Sequence, residues 1–221
     1  MRKEILSIRS LSFEYKKNVE IFSNISFNLY EGEILGILGS SGIGKSSLLR
    51  LITGLEKPKT GEIYYYGSVI SSNKIFVPPD QRGIGLVVQE KALFPHLSSL
   101  ENVKFGIKGS NREKNIKALN FLKLLKAEKF VDSYPNSLSG GQQQRVAIAR
   151  TLATEPALVL LDEPFSSLDK DLREELRKET KDLFKKTNTS SIIVTHEIQE
   201  AKDICDKIIK LEEGKIKNLT I

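Results

Sequence analysis

Along this chain the apolar positions change period several times, and each change marks an element. Residues 5–13 and 25–30 alternate apolar with polar side chains, as half-buried strands do, with polar breaks between them. Gly32-Glu33 interrupts that region. The continuous apolar run Ile34-Leu35-Gly36-Ile37-Leu38 then predicts a strand covered on both faces. A glycine-rich loop follows, and a helical period holds over about residues 46–53. Strand-like residues return over 61–77, including the run Tyr64-Tyr65-Tyr66. Over 113–127 the period changes again: Ile116, Leu119, Leu122 and Leu125 stand three apart with lysines between, which predicts an amphipathic helix. A second helix opens near Ser139 and runs through Val146, Ile148, Ala149 and Leu152.

Ala157-Leu158-Val159-Leu160-Leu161 is another buried strand, stopped by Asp162-Glu163-Pro164. A charged helix over 170–186, a strand over 191–194, a helix over 198–205 and a strand over 207–211 follow, with a strand–turn–strand pattern over 208–216. The chain has no low-complexity segment and no internal repeat. Strand and helix alternate on both sides of a mainly helical insert of about 60 residues, which predicts a parallel α/β core carrying a helical subdomain.

Composition changes this picture little. At 221 residues, 39% hydrophobic and 28% charged, the chain is long enough for one ordinary globular unit. Lys and Arg exceed Asp and Glu by 34 to 28, but the basic residues are scattered, as on a solvated surface, and no nucleic-acid partner is expected. The single cysteine, Cys205, allows no internal disulfide and sits in an apolar-periodic stretch, where a buried structural thiol is expected. No apolar run reaches the ~20 residues of a membrane span, and the charged start Met1-Arg2-Lys3-Glu4-Ile5 lacks a signal-peptide core. A cytoplasmic protein is expected, with any membrane crossing left to a partner.

Candidate chemistry begins at Gly39-Ser40-Ser41-Gly42-Ile43-Gly44-Lys45-Ser46, which fits the Walker A pattern G-x-x-x-x-G-K-[ST]. Glycines let the backbone curl so that its N–H groups surround phosphate oxygens, and the following helix adds its positive end. Lys45 can reach the β- and γ-phosphates, and the Ser46 hydroxyl can ligate Mg²⁺. With Ser47, the positions Gly39, Ser40, Ser41, Gly42, Gly44, Lys45 and Ser46 form the candidate ATP cradle. Asp162 closes an apolar strand, where a carboxylate can hold hydrated Mg²⁺, and Glu163 stands one residue on, where it can polarise an attacking water. The alternative for this acidic pair is a cap on a helix after Pro164.

Leu138-Ser139-Gly140-Gly141-Gln142-Gln143-Gln144-Arg145 resembles the signature sequence of ABC ATPases, and the resemblance extends over nearly the whole chain with that family's motifs in order. It implies an α/β P-loop NTPase fold: a mainly parallel core sheet, an antiparallel β subdomain and a helical subdomain over about residues 90–152. It also implies one domain over 1–221, without the C-terminal regulatory domain that some relatives carry. Tyr15 takes the place of the aromatic that stacks on adenine, with packing in an edge strand as the alternative. Gln89 resembles the Q-loop glutamine that reaches Mg²⁺ and the attacking water. Ser139, Gly140, Gly141 and Gln142 resemble the group that meets ATP bound to an opposing subunit. Ser167-Leu168-Asp169 is similar to the D-loop, and His196 to the switch histidine that bonds the γ-phosphate. On the resemblance the catalytic set is Glu163, His196, Gln89 and Lys45, with Ser46, Gln89 and Asp162 as the Mg²⁺ ligands. Departures are mild: Ser47 for a frequent Thr, Val88 for Phe and Glu197 for Asp.

The resemblance further implies a head-to-tail ATPase dimer on the inner face of the cell membrane. Its partners would be integral-membrane permease subunits, a second ATPase subunit and, indirectly, an extracytoplasmic solute-binding protein. The run from Pro78-Pro79-Asp80-Gln81-Arg82-Gly83 through Leu93-Phe94-Pro95-His96-Leu97 to Glu101-Asn102-Val103 is similar to importers of iron, polyamines, molybdate, sulfate and sugars. The apolar stretch at 92–97 is either a permease-binding groove or part of the helical core. The alternative function is a soluble ABC ATPase acting on nucleic acid or ribosomes. Gly39 and Ser139 lie 100 positions apart with no heptad array between them, unlike the chromosome-maintenance branch.

Overall fold

The computed structural model describes residues 3–16, 19–166 and 168–219. In chain order the strands and helices are β1 (Glu4–Lys16), β2 (Val19–Tyr30), β3 (Ile34–Leu38), α1 (Lys45–Thr53), β4 (Thr60–Tyr65), β5 (Ser68–Ser71), α2 (Pro79–Arg82) and β6 (Ile84–Val87). They continue with α3 (Ser99–Lys104), α4 (Asn111–Leu124), α5 (Gly140–Leu152), β7 (Leu158–Asp162), α6 (Lys170–Thr187), β8 (Ser190–Thr195), α7 (Ile198–Ile204), β9 (Lys207–Glu212) and β10 (Lys215–Leu219).

Two sheets form. An antiparallel sheet has the order β2-β1-β4-β5, and a six-stranded sheet has the order β10-β9-β3-β8-β7-β6. The larger sheet is parallel except at β10, which pairs antiparallel with β9. All five residues of β3 are buried, and their alternation divides two cores. Leu35 and Ile37 face α1 and the antiparallel sheet, together with Leu158, Leu160, Ile192 and Val194. Ile34 and Leu38 face the helical side, together with Val159, Leu161 and Ile193. The α/β fold with a parallel core and an antiparallel layer is thus present.

Tyr66 and Gly67 both have positive φ and form the two-residue turn between β4 and β5, so the run Tyr64-Tyr65-Tyr66 ends a strand rather than continuing it. Helices α3, α4 and α5 each open on a serine capping box: Ser98 with Glu101, Ser110 with Glu113, Ser139 with Gln142. The expected apolar face of α4 needs correction. Ala118 and Leu122 are buried, and so is Leu125 just past the helix end, but Ile116 is 54% and Leu119 41% exposed. Residues three apart drift about 60° per step around a helix, so Ile116 lies opposite Leu125. Cys205 is buried, and burial pushes its thiol up to about 12, so it serves packing.

Candidate functional site

The site residues meet because of sheet register. Leu38 pairs with Thr195, Val194 with Asp162, and Leu161 with Val87, so β3, β8, β7 and β6 end side by side. Gly39, His196, Asp162 with Glu163, and Gln89 stand at or just past those four ends. Crevices outside the carboxyl ends of parallel strands are where such sheets bind ligands. One cleft of about 460 Å³ there is lined by Tyr15, Ser41, Gly42, Gly44, Lys45, Ser46, Ser47, Gln89 and Glu163.

The phosphate loop takes its shape from Gly42 at φ 78° and Gly44 at φ 105°; the second is the N-cap of α1. A Cβ on Gly44 would run into Ile21 Cγ2, so the close approach to β2 adds a steric reason for glycine. Gly39 N donates to the Thr195 carbonyl at 3.3 Å, which ties the loop to the β8 end. The Lys45 side chain is 4% exposed and donates to the carbonyls of Gly39 at 2.8 Å and Ser40 at 3.0 Å. Its ammonium also lies 3.3 Å from Glu163 Oε1.

Glu163 has a backbone φ of 43°, a left-handed conformation that costs a non-glycine residue on the order of 1 kcal/mol. A hydrogen bond from its N–H to the Val194 carbonyl at 3.0 Å holds it there. Its second carboxylate oxygen accepts from His196 Nδ1 at 3.2 Å. An ionised carboxylate can only accept, so this contact is a hydrogen bond in the tautomer that carries a proton on Nδ1. Lys45, Glu163 and His196 thus form a continuous chain of contacts. Next to it, Asp162 Oδ1 is buried with no hydrogen-bond partner among the described residues. Burial raises the Asp162 pKa, a hydrogen bond with Ser46 opposes that, Glu163 raises it further and Lys45 lowers it. A buried oxygen without a partner beside a serine hydroxyl is the donor set a hard cation takes, and Gln89 lines the same cavities.

Tyr15 is 55% exposed rather than packed in the core. Its ring sits edge-on to Phe13 at 4.8 Å, and its hydroxyl hydrogen-bonds Ser47 Oγ at 2.9 Å. An aromatic face is thereby held at the cleft mouth. The strand carrying it is internal in the sheet, although its pairing with β4 ends at Ser12.

Ser139, Gly140, Gly141 and Gln142 are not brought to this cleft. Ser139 caps α5, where Gln142 N donates to its hydroxyl at 3.4 Å and Ser139 N donates to Gln142 Oε1 at 2.9 Å. Ser139, Gly141 and Gln142 line a separate depression with Lys126, Arg145 and Leu172. Gly141 lies so close to Leu172 that a Cβ would overlap its side chain. Of the D-loop run, Ser167 lies outside the described residues, while Asp169 caps α6 by accepting from Leu172 N at 3.0 Å. The two groups of residues therefore line separate depressions.

Several supporting residues are not apparent from motif reading. Arg150 donates to the carbonyls of Ala92 at 2.8 Å and Lys91 at 3.3 Å, both at left-handed φ, and so braces the turn after Gln89. Buried Arg82 donates to the Leu51 and Ile52 carbonyls at the end of α1, and burial lowers its pKa to about 10. Arg173 and Arg177 of α6 grip Glu197, the neighbour of His196. The i,i+4 arginine pair was the sequence signal, but its partner lies on another element. The apolar stretch at 92–97 divides: Leu93 packs against the helical-side core, and Phe94 stacks at 4.5 Å on Phe105, which is 67% exposed.

Strand order, phosphate loop and paired carboxylates define a P-loop nucleotide-binding domain. A family model described as ABC transporter matches residues 22–166, and the chain belongs to that family. It is 42% identical over 215 residues to the Fe(3+) ions import ATP-binding protein FbpC of Haemophilus influenzae, covering 96% of this chain and 61% of the relative. It is 44% identical to a probable sulfate/thiosulfate import ATP-binding protein CysA of Chlorella vulgaris, covering 89% of this chain and 83% of the relative. The chain spans about three fifths of the length of several curated relatives it matches. Among solved structures, cbiO1 of Clostridium perfringens superposes with TM-score 0.87 at 32% identity, covering 97% of this chain and 87% of that one. The bacterial ABC transporter cassette MJ0796, solved as a dimer, gives 0.84 at 35%, covering 98% and 100%. No helix of the described residues is long and apolar enough to cross a membrane.

Proposed function

We propose that this chain binds and hydrolyses ATP as a subunit of an ABC importer, at composite sites shared by two copies. The observation that carries the reading is the contact chain Lys45–Glu163–His196 at the strand ends, set apart from the signature half-site at α5. The relatives described as import ATP-binding proteins, and a cassette neighbour solved in a post-hydrolysis state bound to ADP and Pi, support the same reading.

In this reading Tyr15 stacks on the adenine, and the backbone N–H groups of residues 39–46 surround the phosphates. Lys45 leaves Glu163 for the γ-phosphate, so substrate binding frees the carboxylate. Glu163 takes a proton from a water molecule as the water oxygen bonds to the γ-phosphorus and the bond to the ADP oxygen breaks. His196, held through Nδ1, turns its other ring nitrogen to the phosphate, and Gln89 orients the water. Ser46, Asp162 and Gln89 are suited to hold Mg²⁺, which neutralises phosphate charge when bound. The helix start at Ser139–Gln142 of the second copy completes the anion site.

Exposed Phe105 with half-buried Phe94 is the surface proposed for a permease helix, and a position on the inner face of the cell membrane is proposed with it. Iron or another small ion is the proposed cargo, in line with the relatives named for Fe(3+) and sulfate/thiosulfate, although others are named for spermidine/putrescine or glucose. A solute-binding protein is the indirect partner. Copurification from detergent-solubilised native membranes tests the transport reading. Recovery of a multi-span protein in roughly equal amount is expected, and recovery of ribosomes or DNA-bound proteins instead would contradict it.

A further inference from the structure

His196 is 43% exposed, and among the described residues its ring has one polar partner, Glu163. A single contact leaves the ring free to swing, so its aim depends on the loop that carries it. That loop is held next door. Glu197 N donates to Thr195 Oγ1 at 3.1 Å, and the Glu197 carboxylate meets two guanidinium groups: Arg173 at 2.5 Å on Oε1 and Arg177 at 2.8 Å on Oε2. Each arginine makes further contacts, although both Nε atoms are buried without a partner among the described residues. Arg173 donates to the Leu168 carbonyl at 2.8 Å, inside the loop that runs from Glu163 to α6. Arg177, with its side chain 6% exposed, meets Glu200 at 3.3 Å and Asp203 at 3.4 Å on α7.

We propose that Glu197, clamped by Arg173 and Arg177, is a positioning residue that aims His196, and that Arg173 links this loop to the one following Glu163. A guanidinium fork fixes direction as well as charge, so the loop resists rotation rather than merely being attracted. Glutamate has the reach to give one carboxylate oxygen to each arginine. A shift at Leu168, where the chain nears α6, would be felt beside His196 through two side chains, Arg173 and Glu197. This inference rests on the proposed role of His196 and extends it to residues outside the reacting centre.

The test measures steady-state ATP hydrolysis and thermal melting of the full chain carrying Glu197→Gln, Glu197→Asp, Arg173→Lys or His196→Ala. It adds imidazole NMR of Glu197→Gln and Glu197→Asp in a His96→Gln background, where His196 is the remaining histidine of the chain's two. Glu197→Gln is expected to lower kcat about 10-fold or more with KM and melting temperature near the parent values, as a misaimed group does. Glu197→Asp recovers much of the rate, Arg173→Lys loses it in part, and the His196 resonances move in the Gln variant alone. Full turnover in His196→Ala would overturn the role of His196 itself. Slow His196→Ala beside full turnover in Glu197→Gln and Arg173→Lys would overturn the positioning claim. Unmoved His196 resonances, or rates that fall only with melting temperature, would overturn it too.

Discussion

Lys45 and Ser139 both face phosphate in the proposed reaction, yet their settings differ. Lys45 is buried at the start of α1, just beyond the loop that leaves β3, a strand hydrogen-bonded to neighbours on both sides, and two carbonyls and a carboxylate hold its ammonium. Ser139 sits at the exposed start of a helix, its hydroxyl engaged, among the described residues, by its own capping box. One half-site is pre-built by the core sheet. The other, in the proposed reaction, is a helix end that gains an anion when a second molecule presents one. Cores fix geometry because they have few alternative packings, whereas a surface half-site lets chemistry depend on assembly.

The largest expected effect breaks the core half. Glu163→Gln keeps ATP binding but lowers turnover about 100-fold or more, and it traps the ATP-bound dimer. Near-normal turnover would remove Glu163 as the base. Next, Tyr15→Ala weakens binding of adenine nucleotides by about 1–3 kcal/mol if the ring is a stacking platform, whereas Tyr15→Phe changes little; titration with a fluorescent nucleotide decides. The surface half responds differently. Ser139→Ala costs the helix about 0.5–2 kcal/mol of cap and slows turnover, with nucleotide affinity of the isolated chain unchanged. A matching fall in monomer affinity would mean that both halves act within one molecule.

The smallest effect concerns Glu200, buried under Arg177, where burial outweighs its arginine and pushes its pKa up to about 7. The carboxyl holds its proton more tightly in the folded chain than in the unfolded one, whose value is 4.5. Stability therefore falls as pH rises from about 4.5 to about 7 and stays lower above that. Glu200→Gln removes the penalty, on the order of 1–3 kcal/mol, so it melts higher than wild type at pH 8 and similarly at pH 5. A difference larger at pH 5 than at pH 8 would reverse the sign.

How much was legible from sequence follows the same division between local and distant causes. The strand before Gly39, the carboxylate pair after Leu161 and the caps at Ser98, Ser110 and Ser139 are written in neighbouring residues. Strand β6 is four residues with a glycine inside, too short to show a period, and it is recognised by pairing with β7. The α4 face was misjudged because a spacing of three drifts around the helix, leaving Ile116 and Leu119 in solvent. Arg82, Arg150 and the Arg173–Glu197–Arg177 clamp make side-chain contacts across 20 to 59 positions, beyond any local pattern. The register aligning Leu38, Thr195, Asp162 and Val87 is likewise a property of the sheet. For the candidate site, the residues and their division between the Walker A loop and the signature follow from the family resemblance, while the distances among Lys45, Glu163 and His196 needed the fold.

The claim that two copies complete one site is tested most directly by complementation. One chain carries Lys45→Ala, which disables the core half. The other carries Ser139→Asp, which keeps a helix-capping oxygen but opposes phosphate by charge. Each alone should hydrolyse little. Mixed in equal amounts they form dimers with one intact composite site, and random pairing should restore roughly a quarter of wild-type turnover. Turnover no greater than that of the separate chains would contradict the composite site, and high turnover by the Ser139→Asp chain alone would remove the signature half from the chemistry.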